Sequence, residues 1–147
     1  GVMMVHEDTI SLLSECSAGI KMGTASIDEV LDRITDKKLK NILSLSKDEH
    51  NRLGSETEKL LESYGKPDKE PPAMAKGMSW IKTNVMMAIE EGDDTVADLI
   101  TDGCNMGVKS LSRYLNQYAA ADEHSKDIAK KLISMEEGLA VKMRDYL

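Results

Sequence analysis

The chain has 147 residues, 41% of them apolar and 31% charged, and a net charge of −7. That length and balance suit a single domain with a real core and exclude a disordered chain. An acidic surface repels phosphate backbones, which argues against nucleic acid as a partner, and no apolar run approaches the ~20 residues that cross a bilayer.

Three prolines, one Trp, no Phe and abundant Leu, Ile, Met, Ala, Lys and Glu favour helix over sheet. No secretory leader is visible. Two isolated cysteines, Cys16 and Cys104, form no disulfide framework. They predict a reducing, cytoplasmic setting, with both thiols as small buried apolar groups.

The first helix is expected over roughly 8–34, with Leu13, Cys16, Ile20, Ile27, Leu31 and Ile34 on one face. Thr35-Asp36 reads as turn and N-cap. A second helix follows to about Tyr64, with Leu39, Ile42, Leu53 and Leu60 inward, and Gly65-Lys66-Pro67 ends it. Residues 66–72 read as an extended linker. From Met74 the stripe Met74, Met78, Ile81, Val85, Ala88 and Ile89 predicts an amphipathic helix of about 18 residues, roughly 27 Å long. A third helix is expected after Gly92, capped by Asp93 or Asp94, with Val96, Leu99, Ile100, Met106, Leu111, Tyr114 and Tyr118 inward. Gly103 and Gly107, one turn apart on its inner face, predict a close helix approach. Asp122 should cap a fourth helix carrying Ile128, Leu132, Met135, Leu139 and Met143.

Displaced by 86 positions, the sequence resembles itself without a gap. Asp8-Thr9-Ile10 falls on Asp94-Thr95-Val96, Asp36 on Asp122, Lys40 on Lys126 and Ile42 on Ile128, and the apolar phase agrees along two helices and the turn between them. The chain therefore reads as one all-α domain, 1–147. It comprises a hairpin over 8–64, a crossover over 65–92 and a second hairpin over 93–147, with helices two and three parallel. Two hairpins joined by one long crossover make the ferritin-like four-helix bundle.

Residues across the chain point the same way. Gly77-Met78-Ser79-Trp80-Ile81-Lys82 with Asp93-Asp94-Thr95-Val96-Ala97-Asp98-Leu99, and Leu39-Lys40-Asn41-Ile42-Leu43 with Leu60-Leu61-Glu62-Ser63-Tyr64-Gly65, resemble a bacterial ferritin-like family of unknown function. The resemblance implies that fold and no established activity; fold alone does not imply function.

Ferritin-like di-iron proteins use a Glu on two helices and Glu-x-x-His on the other two, and this sequence has no Glu-x-x-His. Glu15 and Asp102 phase outward. Glu49 falls in the apolar stripe of the second helix with His50 on its flank, and the repeat carries His50 onto Glu136 at the edge of a core face. Three readings of Glu49, His50 and Glu136 compete: a structural ion pair or hydrogen bond, a wet boundary or subunit interface, or an altered metal site, for which two carboxylates and an imidazole suit Fe, Mn or Zn. His6 and His124 read as surface or capping residues. The cluster Glu90, Glu91, Asp93 and Asp94 reads as a solvated corner. No nucleophile triad or phosphate loop is present. The expected function is a non-catalytic structural or interaction role, with a homo-oligomer or another protein as partner; the alternative is a metal-binding or oxidoreductase protein.

Overall fold

The computed structural model describes residues 1–65 and 92–147; the linker expected over 66–72 and the amphipathic helix expected from Met74 lie outside them. Among the described residues there are four α-helices and no strand: α1 (Val2–Leu31), α2 (Lys37–Ser63), α3 (Asp93–Gln117) and α4 (Glu123–Met143), the last continuing into a single 3₁₀ turn, Arg144–Tyr146. No helix among them is long and apolar enough to cross a membrane.

The helix ends follow from local chemistry. Asp36 caps α2 by accepting from the Leu39 amide at 2.8 Å, and Asp122 caps α4 by accepting from the Ser125 amide at 2.8 Å. These caps are equivalent positions of the repeat. Gly65, at φ 72°, lies just beyond the end of α2, in a left-handed conformation that favours glycine. Helix α1 stops three residues short of Ile34, which is buried but sits in the turn after the helix; burial alone gave it the look of a helical residue. The cap expected from Asp93 or Asp94 on α3 is also corrected. Gly92 is the N-cap, without a side-chain bond, because the Asp93 carboxylate is used elsewhere.

Asp93 reaches across to the α1–α2 turn. It accepts from the Thr35 amide at 3.0 Å, the Thr35 hydroxyl at 2.9 Å and the Asp36 amide at 2.8 Å. At the other end, α1 holds the α3–α4 turn the same way: Asp8 accepts from the Ala120 amide at 3.0 Å and Thr9 from the Asp122 amide at 2.8 Å. Each hairpin thus clasps the turn of the other. The Tyr64 hydroxyl, at the end of α2, donates to Asp122 at 3.2 Å. Together these contacts put the end of α2 and the start of α3 at opposite ends of the bundle, so α2 and α3 run parallel.

The buried apolar side chains form two clusters. One, near the α1–α2 turn, centres on Ile27, Val30, Leu39, Leu43, Leu99 and Met143. The other, near the α3–α4 turn, centres on Leu12, Leu13, Leu53, Leu61, Leu111 and Leu132. Met106, expected inward on α3, is instead 54% exposed. Cys16 and Cys104 are buried free thiols, as expected.

Burial by itself raises the carboxyl pKa of Asp93, but the Thr35 and Asp36 amides and the Thr35 hydroxyl outweigh it and hold it below the usual range; at Asp122 the Ser125 and Tyr64 bonds do the same. A depressed carboxylate contributes stability above its unfolded pKa, near ~3.9, and loses it as pH falls through the folded value. Asp122→Ala should therefore cost about 1 kcal/mol at pH 7. In urea unfolding curves, the deficit of Asp93→Asn against the parent should shrink steadily below about pH 4.

Candidate functional site

The inward face of α2 is drawn by Leu39, Leu43, His50, Leu53, Thr57 and Leu61, all buried. His50 is seven residues past Leu43 and three before Leu53, so it falls on this face. Glu49 is turned a further 100° along the helix and is exposed. The stripe of Leu39, Ile42, Leu53 and Leu60 puts Glu49 inward and His50 on its flank, but Ile42 is only half-buried and the buried face runs through Leu43 and His50. Glu49 therefore does not join His50 and Glu136 in a common site.

His50 and Glu136 do meet. The His50 ring is 1% exposed, and its Nε2 lies 3.1 Å from Glu136 Oε1; the Glu136 side chain is 11% exposed. The ring's other nitrogen, Nδ1, lies 2.7 Å from the Ser46 carbonyl, with the Ser46 hydroxyl at 3.4 Å. The buried Cys104 thiol lies near the same carboxylate, and burial first, then the Glu136 charge, pushes its pKa up. Every buried side-chain nitrogen and oxygen among the described residues has a partner.

Both imidazole nitrogens thus face pure acceptors, a peptide carbonyl and a carboxylate. Only the doubly protonated ring donates to both. The electrostatics agree. Burial lowers the His50 pKa, but the Glu136 hydrogen bond and charge, the Ser46 carbonyl and the more distant Glu49 charge outweigh it, and the net shift is upward.

The two partners are 86 residues apart, the displacement of the internal repeat. Equivalent positions that touch each other lie on the axis relating the two hairpins, so this ion pair sits at the centre of symmetry, between the two apolar clusters. Gly23 of α1 makes room for it: a Cβ there would come within 3.2 Å of the His50 ring. Gly107 of α3 backs Glu136 at ordinary contact distance, 3.6 Å.

Beside the pair, α1 and α3 part to leave a cleft of about 240 Å³. Its walls are mostly apolar and include Gly19, Gly23, Gly103 and Gly107; His50, Cys104 and Glu136 lie at mid-length, and Glu15 and Tyr114 at one end. At Gly103, where a close helix approach was expected, no described residue lies within 4 Å of a Cβ built there. Glu15, expected to face outward, is half-buried, and its charge adds to burial in raising the Tyr114 hydroxyl's pKa.

The remaining titratable groups stay outside this region. His6 packs edge-on against Tyr64 at 5.3 Å, and exposed His124 pairs with Glu56 at 3.2 Å. Asp102 is exposed. Among the described residues, no three His, Cys, Asp or Glu side chains are grouped to hold a metal ion. Comparison with known proteins returns no match, whether against family models, curated proteins or solved structures.

Two variants separate the roles of the glycines. Gly23→Ala should destabilise the fold despite the better helix propensity of alanine, because the methyl group meets the His50 ring. Gly103→Ala should stabilise it by up to about 1 kcal/mol, the propensity gain alone. Chemical denaturation reads both.

A histidine with a raised folded pKa contributes its stability in full below the unfolded value, near ~6.5, and loses it as pH rises through the folded value. The parent should lose stability on going from pH 6 to pH 9. His50→Gln should be less stable at pH 6, with that slope flattened. A His50 titration followed by NMR with a midpoint below 6.5 would contradict this account.

Proposed function

We propose that this chain is a ferritin-like bundle whose centre has given up metal chemistry for a structural ion pair. In this reading it acts in the cytoplasm as a non-catalytic structural or protein-interaction module, as a homo-oligomer or with another protein. The observation that carries the reading is the state of His50. An imidazole binds a metal through a lone pair, and here both ring nitrogens are engaged as donors, to Ser46 and to Glu136. The parallel run of α2 and α3 and the placing of the pair on the repeat axis support the ferritin-like assignment. Exposed Val2, Met3 and Met4 at the start of α1, with Leu45 on α2 and Val141 on α4, supply apolar surface for a partner.

Elemental mass spectrometry of the purified protein, as isolated and after anaerobic incubation with Fe(II), Mn(II) and Zn(II), tests this reading. Sub-stoichiometric metal is expected. Glu136→Ala should cost roughly 3 kcal/mol, since it strands a buried charge, and added ion should not change that figure. Near-stoichiometric metal that is lost in Glu136→Ala would instead establish the alternative, an altered metal or oxidoreductase site built on His50 and Glu136.

A further inference from the structure

The cleft between α1 and α3 is not accounted for by packing. A helix loses roughly 1 kcal/mol for each glycine that replaces alanine, and four glycines line this one cleft. At Gly23 the need is plain, because a Cβ would strike His50. Among the described residues, a Cβ at Gly103 would meet nothing within 4 Å, and one at Gly19 would have Leu132 at 3.7 Å as its nearest neighbour. The missing side chains at these positions keep space open; they do not let the two helices close.

The shape of that space is long and narrow. Its α1 wall runs from Glu15 to Ile27, roughly 18 Å of helix at 1.5 Å per residue. A volume of about 240 Å³, filled to the density of a protein interior, holds about ten non-hydrogen atoms. Spread over that length, they make an unbranched chain.

The described lining is net negative, with no Lys or Arg among its residues. Glu136 is balanced by His50, but no cation pairs with Glu15 among the described residues. Arg113 acts on Tyr114 from nearby but is not among the lining residues, and the groups that feel the Glu15 charge are weak acids: Tyr114, Tyr118 and the Cys16 thiol. Each has its pKa raised by burial first and by the Glu15 charge second, with Cys16 pushed up to about 12. Among the described residues, then, a half-buried carboxylate at the end of an apolar channel has no cation paired with it.

We propose that the α1–α3 cleft binds a linear primary ammonium compound, with its charged head on Glu15 at the Tyr114 end and its unbranched apolar tail laid along Gly19, Gly23, Gly103 and Gly107. The tail displaces water from glycine backbone and from the flanks of Met22 and Leu111, and each methylene it buries contributes to affinity. The Tyr114 hydroxyl lines the same end of the cleft and is uncharged, so it leaves the Glu15 charge available for the head. A carboxylate head would meet Glu15 with like charge, and a hydroxyl head would leave that charge unpaired. The selectivity therefore runs ammonium, then alcohol, then acid. The site stands on the cleft and on Glu15, and it is independent of whether the His50–Glu136 pair has replaced a metal centre.

Isothermal titration calorimetry of the full chain at pH 7 with octylammonium, 1-octanol and octanoate, all below their aggregation limits, tests the assignment. Octylammonium should fill one site at least ~tenfold more tightly than octanol, with octanoate weakest. Glu15→Gln should remove the preference for ammonium and leave octanol binding unchanged. Gly103→Leu should fill the channel and weaken octylammonium at least ~tenfold, while the variant melts no lower than the parent because leucine is the better helix former. No binding of octylammonium, equal binding of octanol, or a Gly103→Leu variant that melts normally and still binds as the parent does would each overturn the proposal.

Discussion

A protonated histidine and a carboxylate lie at the middle of this bundle, on the axis relating its two halves, and the surrounding structure is arranged to keep them there. Taking two charges out of water costs several kcal/mol per ion, and the cost is met only when geometry is good and every remaining donor and acceptor is satisfied. Here the His50 ring meets the Ser46 carbonyl at 2.7 Å and Glu136 at 3.1 Å, and no buried side-chain nitrogen or oxygen among the described residues lacks a partner. Gly23 gives up its side chain so that the ring fits. The apolar core divides into one cluster on each side of the pair. A buried pair is no guarantee of stability, since well-packed apolar residues of the same volume often do as well.

That arrangement also separates two parts of the interior that a glance at the sequence would merge. The pair's polar atoms are turned towards one another and towards Ser46. The cleft next to it is mostly apolar and is bordered at its far end by Glu15, which has no cation paired with it among the described residues. The two sets of residues share the glycine-bearing faces of α1 and α3, which is why glycines are concentrated there and not in α2 or α4.

Much of the fold was legible in the sequence because it rests on periodicity and caps. The four helices, both capping aspartates and the parallel run of α2 and α3 follow from apolar spacing, from Asp36 and Asp122, and from the repeat. The centre was half legible. Glu136 and His50 were singled out by the repeat, but Glu49 was drawn in because a helical wheel anchored on Ile42 is wrong by one residue, which is 100° on a helix. Glycines were harder still. Gly103 and Gly107 look alike in sequence, yet one backs Glu136 and the other borders empty space, a difference made by α4 and not by α3. Asp93 illustrates the same limit. Local rules made it a cap, but three donors on a turn 57 and 58 residues away outcompete the single amide a cap would satisfy.

The reciprocal clasps at the bundle ends have a mechanical meaning. Leucine stripes are nearly self-similar under a shift of one helical turn, ~5.4 Å, so apolar packing by itself discriminates poorly between sliding positions of one hairpin on the other. Hydrogen bonds do not stretch that far. A slip of one turn would strip Asp93 from Thr35 and Asp36, Asp8 and Thr9 from the opposite turn, and Glu136 from His50, all at once. With polar marks at both ends and the middle, the hairpins behave like a keyed shaft: free to pack along their whole length, yet fixed in axial position by a few residues that together form a small part of the contact.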